Sequence, residues 1–151
     1  TSNLAYLKHM ESIRQNLASN VNNYEQRLAK AKELGDESTA RLDLAVQYAN
    51  HGVPSAQLDY RQGVTDIRAK EIEIEQEVRE DLELGVDQLL TDEAKEKMTN
   101  SMKEFLSNNP ALRRLNQDYW SRGKGLDGEY KLSWVDDRIL TWSPKTEEWS
   151  R

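Results

Sequence analysis

SAQLDYRQGVTDIRAKEIEIEQEVREDLELGVDQLL, residues 55–90, is the stretch on which the reading of this chain turns. Its apolar side chains fall at Tyr60, Val64, Ile67, Ile74, Val78, Leu82, Val86 and Leu89, mostly three and four residues apart. Steps of that size put side chains on one stripe of an α-helix. A single helix of this length spans about 50 Å. It cannot bury its stripe alone and needs other helices of the chain, of further copies, or of a partner. Two features oppose the helix. Gly63 and Gly85 each cost roughly 1 kcal/mol relative to Ala in a helix interior, and residues 70–78, KEIEIEQEV, alternate as a strand does. The helix prevails because both flanks keep helical spacing, no turn residue bounds the segment, and Glu, Gln, Lys and Arg are good helix formers.

Toward the N-terminus, residues 3–34 carry a second stripe at Tyr6, Met10, Ile13, Leu17, Val21, Tyr24, Leu28 and Ala31. Its steps average close to the repeat of a straight helix rather than a strict heptad. Ser2 or Asn3 can cap the start and Gly35 the end. A shorter helix is expected over residues 37–50, capped by Asp36 or Ser38, with Leu42, Ala45, Val46 and Ala49 on its apolar face. His51-Gly52-Val53-Pro54 breaks the chain, and Ser55 can cap the long helix. The first and third helices can then pack antiparallel.

Beyond residue 90, Thr91 or Asp92 can cap a fourth helix through about residue 107, with Met98, Met102, Phe105 and Leu106 apolar. One unbroken helix over 55–107 is the alternative. Asn109-Pro110 reads as a cap and first helical residue for a short helix to about residue 120. The composition then changes. SRGKGLDG, residues 121–128, holds three glycines and reads as a loop. Residues 129–135 alternate as a strand, Asp136-Asp137 can turn, and residues 138–142 can return, giving a β-hairpin that Ser143-Pro144 ends. The expected organisation is a helical bundle or coiled-coil region over residues 1–120 and a Trp-rich tail over 121–151. The fold class is mainly α: long amphipathic helices in a bundle or coiled coil, with a small C-terminal β-hairpin.

Composition narrows the function. Of 151 residues, 32% are charged and 36% hydrophobic, with a net charge of −6. That balance suits amphipathic helices, and a net acidic chain is a poor binder of nucleic acid or anionic membrane. The acidity concentrates in residues 71–96, where eleven Asp or Glu face two basic residues, Arg79 and Lys95. Residues 1–35 hold five basic and three acidic residues, so opposite charge favours contact between the two regions. No cysteine is present, which excludes disulfides, thiolate metal sites and a cysteine nucleophile. No run is apolar and long enough to span a membrane, and no secretory signal pattern opens the chain. A cytoplasmic or virion-like setting is the most compatible one.

Candidate chemistry is sparse. The carboxylates of residues 71–83 can in principle form a cation site or an acid/base pair, such as Glu73 with Glu77. No calcium-loop pattern accompanies them, and a solvated helix face explains them better. His9 and His51 lack metal-ligand spacing and read as surface residues. The Arg122-Gly-Lys-Gly125 segment lacks the strand and Ser/Thr of a phosphate loop. Arg113, Arg114, Arg122 and Lys124 form a basic cluster beside Tyr119 and Trp120, best explained by pairing with the chain's own acids. No catalytic, metal or cofactor site and no small-molecule substrate is expected. Trp134, Trp142 and Trp149 crowd into the tail with Tyr130. They are candidate partner-binding residues, or alternatively the small core of a tail folded back on the helices, since Trp and Tyr dominate binding hot spots and an isolated hairpin is marginal in water. The expected function is a non-enzymatic structural or adaptor protein, a homo-oligomer through its long helices, that docks or registers through its aromatic tail. The alternative is a small accessory subunit of an enzyme complex. The outline resembles fibrous virus and phage proteins in architecture alone.

Overall fold

Helix α1 (Ser2–Leu34) ends where Gly35 takes a φ of 91° and donates its N–H to the carbonyls of Ala31 and Lys32, both at 3.2 Å. Helix α2 (Glu37–Tyr48) starts under the Asp36 cap, whose carboxylate accepts the Thr39 N–H at 3.4 Å. The chain then turns through Gly52, at φ 72°. Helix α3 (Pro54–Leu82) begins on Pro54 itself, with Gln57 N–H bonded to Val53 O at 3.0 Å. Proline suits the first helical position because its missing N–H would have no partner there. Val53 therefore occupies the cap position expected of Ser55.

These elements belong to a computed structural model that describes residues 2–85, 88–89, 91–122 and 140–150. Within them the chain is mainly helical, with five α-helices and a small antiparallel hairpin at the C-terminal end. It divides into two compact units, Thr1–Tyr60 and Arg61–Arg151, and α3 runs through both. The composition change at residues 120/121 thus falls inside the second unit.

Residues 70–78 are helical throughout, and Gly63 is a buried residue inside α3. The helix nevertheless stops at Leu82, so neither a helix to residue 90 nor one to residue 107 forms. Glu83 turns left-handed at φ 53°, its N–H reaches Glu80 O at 3.3 Å, and Leu84 N–H reaches Arg79 O at 2.9 Å. These two bonds are a Schellman ending with glutamate in the place usually held by glycine. Gly85, costly within a helix, lies just outside it, where Gln88 Oε1 accepts its N–H at 2.8 Å. A fresh start follows. Helix α4 (Asp92–Asn108) begins under Thr91, whose hydroxyl accepts the Ala94 N–H at 3.3 Å, with Asp92 and Glu93 in the first turn facing the positive end of the helix dipole. Helix α5 (Pro110–Ser121) follows Asn109 directly. The Asn109 side chain donates backward to Phe105 O at 2.8 Å and makes no forward cap.

The first unit has one small core. Tyr24 from α1, Leu44 and Tyr48 from α2, and Val53 and Ala56 at the start of α3 are buried together, with Val21 and Leu28 packed against them. Tyr24 and Tyr48 meet edge to face at 5.7 Å, and the Arg27 guanidinium lies 5.8 Å from the Tyr48 ring. Asp59 joins the three helices, accepting from Arg41 Nε at 3.2 Å and from the Tyr24 hydroxyl at 3.4 Å. The buried face of α2 is Leu44, Ala45, Tyr48 and Ala49, one step round from the expected face, because Tyr48 is its largest apolar body.

The second unit draws its buried side chains from Val64, Ile67, Ile74 and Val78 of α3, from Ala94, Met98, Met102 and Leu106 of α4, and from Ala111 and Leu115 of α5. Strands β1 (Thr141–Ser143) and β2 (Glu148–Ser150) complete it, pairing Trp142 with Trp149. The hairpin therefore lies C-terminal to the one read from the sequence. Ser143 closes β1 and Pro144 opens the four-residue connection, residues 144–147, whereas the sequence pattern has Ser143-Pro144 end the hairpin. Glu147 N–H bonds Ser143 O at 2.8 Å, and Glu147 takes φ 54°. The expected strand over 129–135 and turn at Asp136-Asp137 lie outside the described residues.

The helix ends give a direct test. Glu83→Gly removes a side chain from a left-handed position and should raise stability by about 1 kcal/mol. Gly35→Ala, at φ 91° with nothing within 4 Å to crowd a new methyl, should lower it through backbone strain alone. Thermal unfolding followed by circular dichroism reads both shifts.

Candidate interaction surface and the tryptophan hairpin

Helix α1 extends past its own core. Its stripe is covered at Val21, Tyr24 and Leu28. Leu17 reaches the inter-helix turn, where a methyl group on Gly52 would lie 3.3 Å from its Cδ1. N-terminal to that point the same stripe is open. Tyr6 and Leu7 are each 62% exposed, Leu4 51%, Ile13 47%, and Met10 and Leu17 40%. Soluble chains scatter such residues singly, whereas a contiguous apolar row marks an interaction site. Around the row the helix is polar and nearly neutral. Glu11 accepts from Gln15 at 3.4 Å and pairs with Arg14 at 3.5 Å, both on an open surface. His9 is exposed on this helix, and His51 is exposed in the turn, its ring 5.3 Å from that of Tyr48.

The tail residues sort differently. Trp142 is 2% exposed and Trp149 is 3% exposed, with ring centroids 5.8 Å apart across the hairpin. They are core residues of the second unit, as the folded-back reading of the tail has it. Tyr130 and Trp134 lie outside the described residues. What holds the hairpin was not foreseen. Arg68 of α3, 4% exposed, donates through Nη1 to Glu71 Oε2 at 3.0 Å, to Leu140 O at 2.9 Å and to Thr141 Oγ1 at 3.3 Å. Glu71, 5% exposed, accepts the Trp142 backbone N–H on the same oxygen at 3.0 Å. A buried ion pair thus serves both as core and as the partner of strand β1. A signal for it existed: the α3 stripe steps from Ile67 directly to Ile74, and Glu71 fills the vacant place in the three-four rhythm. Glu75 is also buried, whereas Glu73, Glu77, Glu80 and Asp81 form the expected solvated face.

On the far side of the hairpin, Lys103 of α4 pairs with Glu147 at 2.8 Å, and this hydrogen bond and charge hold the Glu147 carboxyl below its usual 4.5. A surface groove of about 310 Å³ opens there, with Leu106, Trp142 and Pro144 as its apolar lining and Arg113 at its rim. Of the basic cluster, Arg122, just past the end of α5, pairs back to Asp118 at 2.7 Å. Lys70 pairs with Glu73 at 3.4 Å and lies 5.3 Å from the Phe105 ring centroid. No helix among the described residues is long and apolar enough to cross a membrane. No group of three or more acidic or histidine side chains among them is placed to hold a metal ion.

No protein-family model, no curated protein and no solved structure matches this chain. Its function is therefore argued from the residues alone.

Two outcomes are expected. Arg68→Met leaves Glu71 charged and buried without its cation, which should cost about 3–5 kcal/mol, and Glu71→Ala should cost a similar amount. The double variant Arg68→Met/Glu71→Leu, which strands no charge, should lose less than either. Urea unfolding followed by tryptophan fluorescence measures all three. The phenols of Tyr24 and Tyr119 are both raised above 10.0, chiefly by burial, with Asp59 adding for Tyr24 and Glu71 for Tyr119. The folded chain therefore holds these protons longer than the unfolded one. Their contribution to stability is intact below pH 10 and is lost as pH rises through the folded values. Tyrosinate absorbance should show two late-ionising tyrosines that become ordinary in denaturant.

Proposed function

We propose that this chain is a non-enzymatic structural or adaptor protein that assembles through the open half of α1. The observation that carries this reading is the row Tyr6, Met10, Ile13 and Leu17, with Leu4 and Leu7 beside it, on a helix that continues well past its own core. Helix propensity adds weight. Residues 2–20 include three Asn and three Ser, which are weak helix formers. An isolated helix of this length is marginal in water, and packing of an apolar face is the usual source of its stability. An assembly partner would supply that packing. Within this reading Trp142 and Trp149 hold the hairpin in place, and Tyr130 and Trp134 are the tail residues left to dock or register.

A second reading, an accessory subunit of an enzyme complex, is favoured by the exposed acidic face of α3, which would suit a basic partner surface.

Light scattering across a dilution series separates the two. The assembly reading expects a species larger than the 17.5 kDa chain at high concentration, reduced to a monomer by Met10→Glu with Ile13→Glu. Both positions are exposed, so helicity of the folded units should survive. A 17.5 kDa species at every concentration, together with retention on a basic partner abolished by Glu73→Lys with Glu77→Lys, would favour the accessory subunit instead.

A further inference from the structure

We infer that the open half of α1 is closed by the same stretch of a second copy lying antiparallel to it. The inference rests on the assembly reading above and names its occupant.

The spacing of the stripe points to it. From Tyr6 to Leu17 the steps are four, three and four, the alternation of a two-helix seam. From Leu17 to Val21 the step is four again, which interrupts that alternation. The interruption falls where the open row gives way to the covered one at the Gly52 turn. The two halves of α1 are thus phased for two different neighbours. The inner half meets α2 and the start of α3 of its own chain. The outer half keeps its own seam.

The charges of this face suit a second copy. Residues 2–20 carry Lys8, Arg14 and Glu11 only, so two copies approach without strong repulsion, and the face selects neither an acidic nor a basic partner. In the antiparallel register, Tyr6 faces Leu17 of the second copy and Met10 faces its Ile13, each layer occurring twice. Arg14 then lies about 3 Å along the axis from Glu11 of the second copy, on the same flank, and the open intrahelical pair can be exchanged for a pair between copies. A parallel register would set Arg14 against His9. It would also bring together the ends where the stripe is already covered by α2 and α3. The antiparallel register puts the two cores at opposite ends of the shared seam.

The absence of cysteine makes the test clean, because any introduced thiol is the only one present. Tyr6→Cys and Leu17→Cys are prepared as separate full-length variants, and circular dichroism confirms their helicity. In the antiparallel register residues 6 and 17 of different copies face each other. Two copies of residue 6, or of residue 17, lie about 16 Å apart along the axis, beyond the roughly 7 Å that a disulfide spans. Mild oxidation of the mixed variants should give at least tenfold more covalent dimer than either variant alone. Equal or greater dimer from each variant alone would overturn the antiparallel register while leaving assembly intact. A dimer in light scattering that gives no cross-link of any kind and is unaffected by Ile13→Glu would place the interface elsewhere and overturn the inference. A monomer at every concentration would overturn both the inference and the assembly reading beneath it.

Discussion

The ion pair between Arg68 and Glu71 is the interaction on which the second unit depends. Two charges in the interior of a helix face are expensive to bury. Here part of the cost is offset because both side chains also bond to backbone: Arg68 Nη1 donates to the Leu140 carbonyl and Glu71 accepts the Trp142 N–H, while Arg68 Nε and Nη2 are buried with no hydrogen-bond partner among the described residues. Strand β1 thereby gains partners on the side away from β2, and a hairpin of three-residue strands, marginal by itself, is fixed against α3. The paired tryptophans then have a surface to bury against, and Lys103 holds the connecting loop from α4. Helix and tail are mutually dependent. The pair gains backbone partners from the strand, and the strand is placed by the pair.

The first unit is governed by a different economy. Its core is small, a handful of side chains around Tyr24 and Tyr48, and it uses only the C-terminal half of α1. The other half carries a stripe of the same character with no covering among the described residues. A helix half that is apolar along one side and open to water is a structure in want of a neighbour. That physical condition carries the functional proposal.

The helical content was legible because periodicity is a strong signal over long segments. Residues 70–78 alternate like a strand, yet their neighbours on both sides keep helical spacing, and the helix won. The cap at Gly35 was legible as local chemistry, and Asp36 and Thr91 were each one of two candidates, with Ser38 and Asp92. The end of α3 was not, because glutamate seldom takes the left-handed position of a Schellman ending; Gly85, which opposed the long helix, lies two residues beyond that turn. The strand pairing of residues 141–143 with 148–150 was not read for a related reason. Pro144 reads as a terminator, but a proline fits equally well at the start of a four-residue connection. For the tail, the sequence could not choose between core and docking surface, because both use the same aromatic residues. The buried Arg68 and Glu71 were hidden by composition: amid so many exposed acids, one more glutamate looked solvated. The gap between Ile67 and Ile74 was the only trace of it. The open half of α1 was invisible for a deeper reason, since a stripe shows that a face wants burial and not whether the chain itself provides it.

Hydrogen exchange at the amides of residues 4–17, followed as protein concentration rises, tests the central claim most directly. If this half of α1 is an association surface, its protection grows with concentration while that of residues 21–28, already covered by their own core, stays constant. Equal exchange of residues 4–17 at all concentrations, with the rates of an isolated fraying helix, would contradict the account.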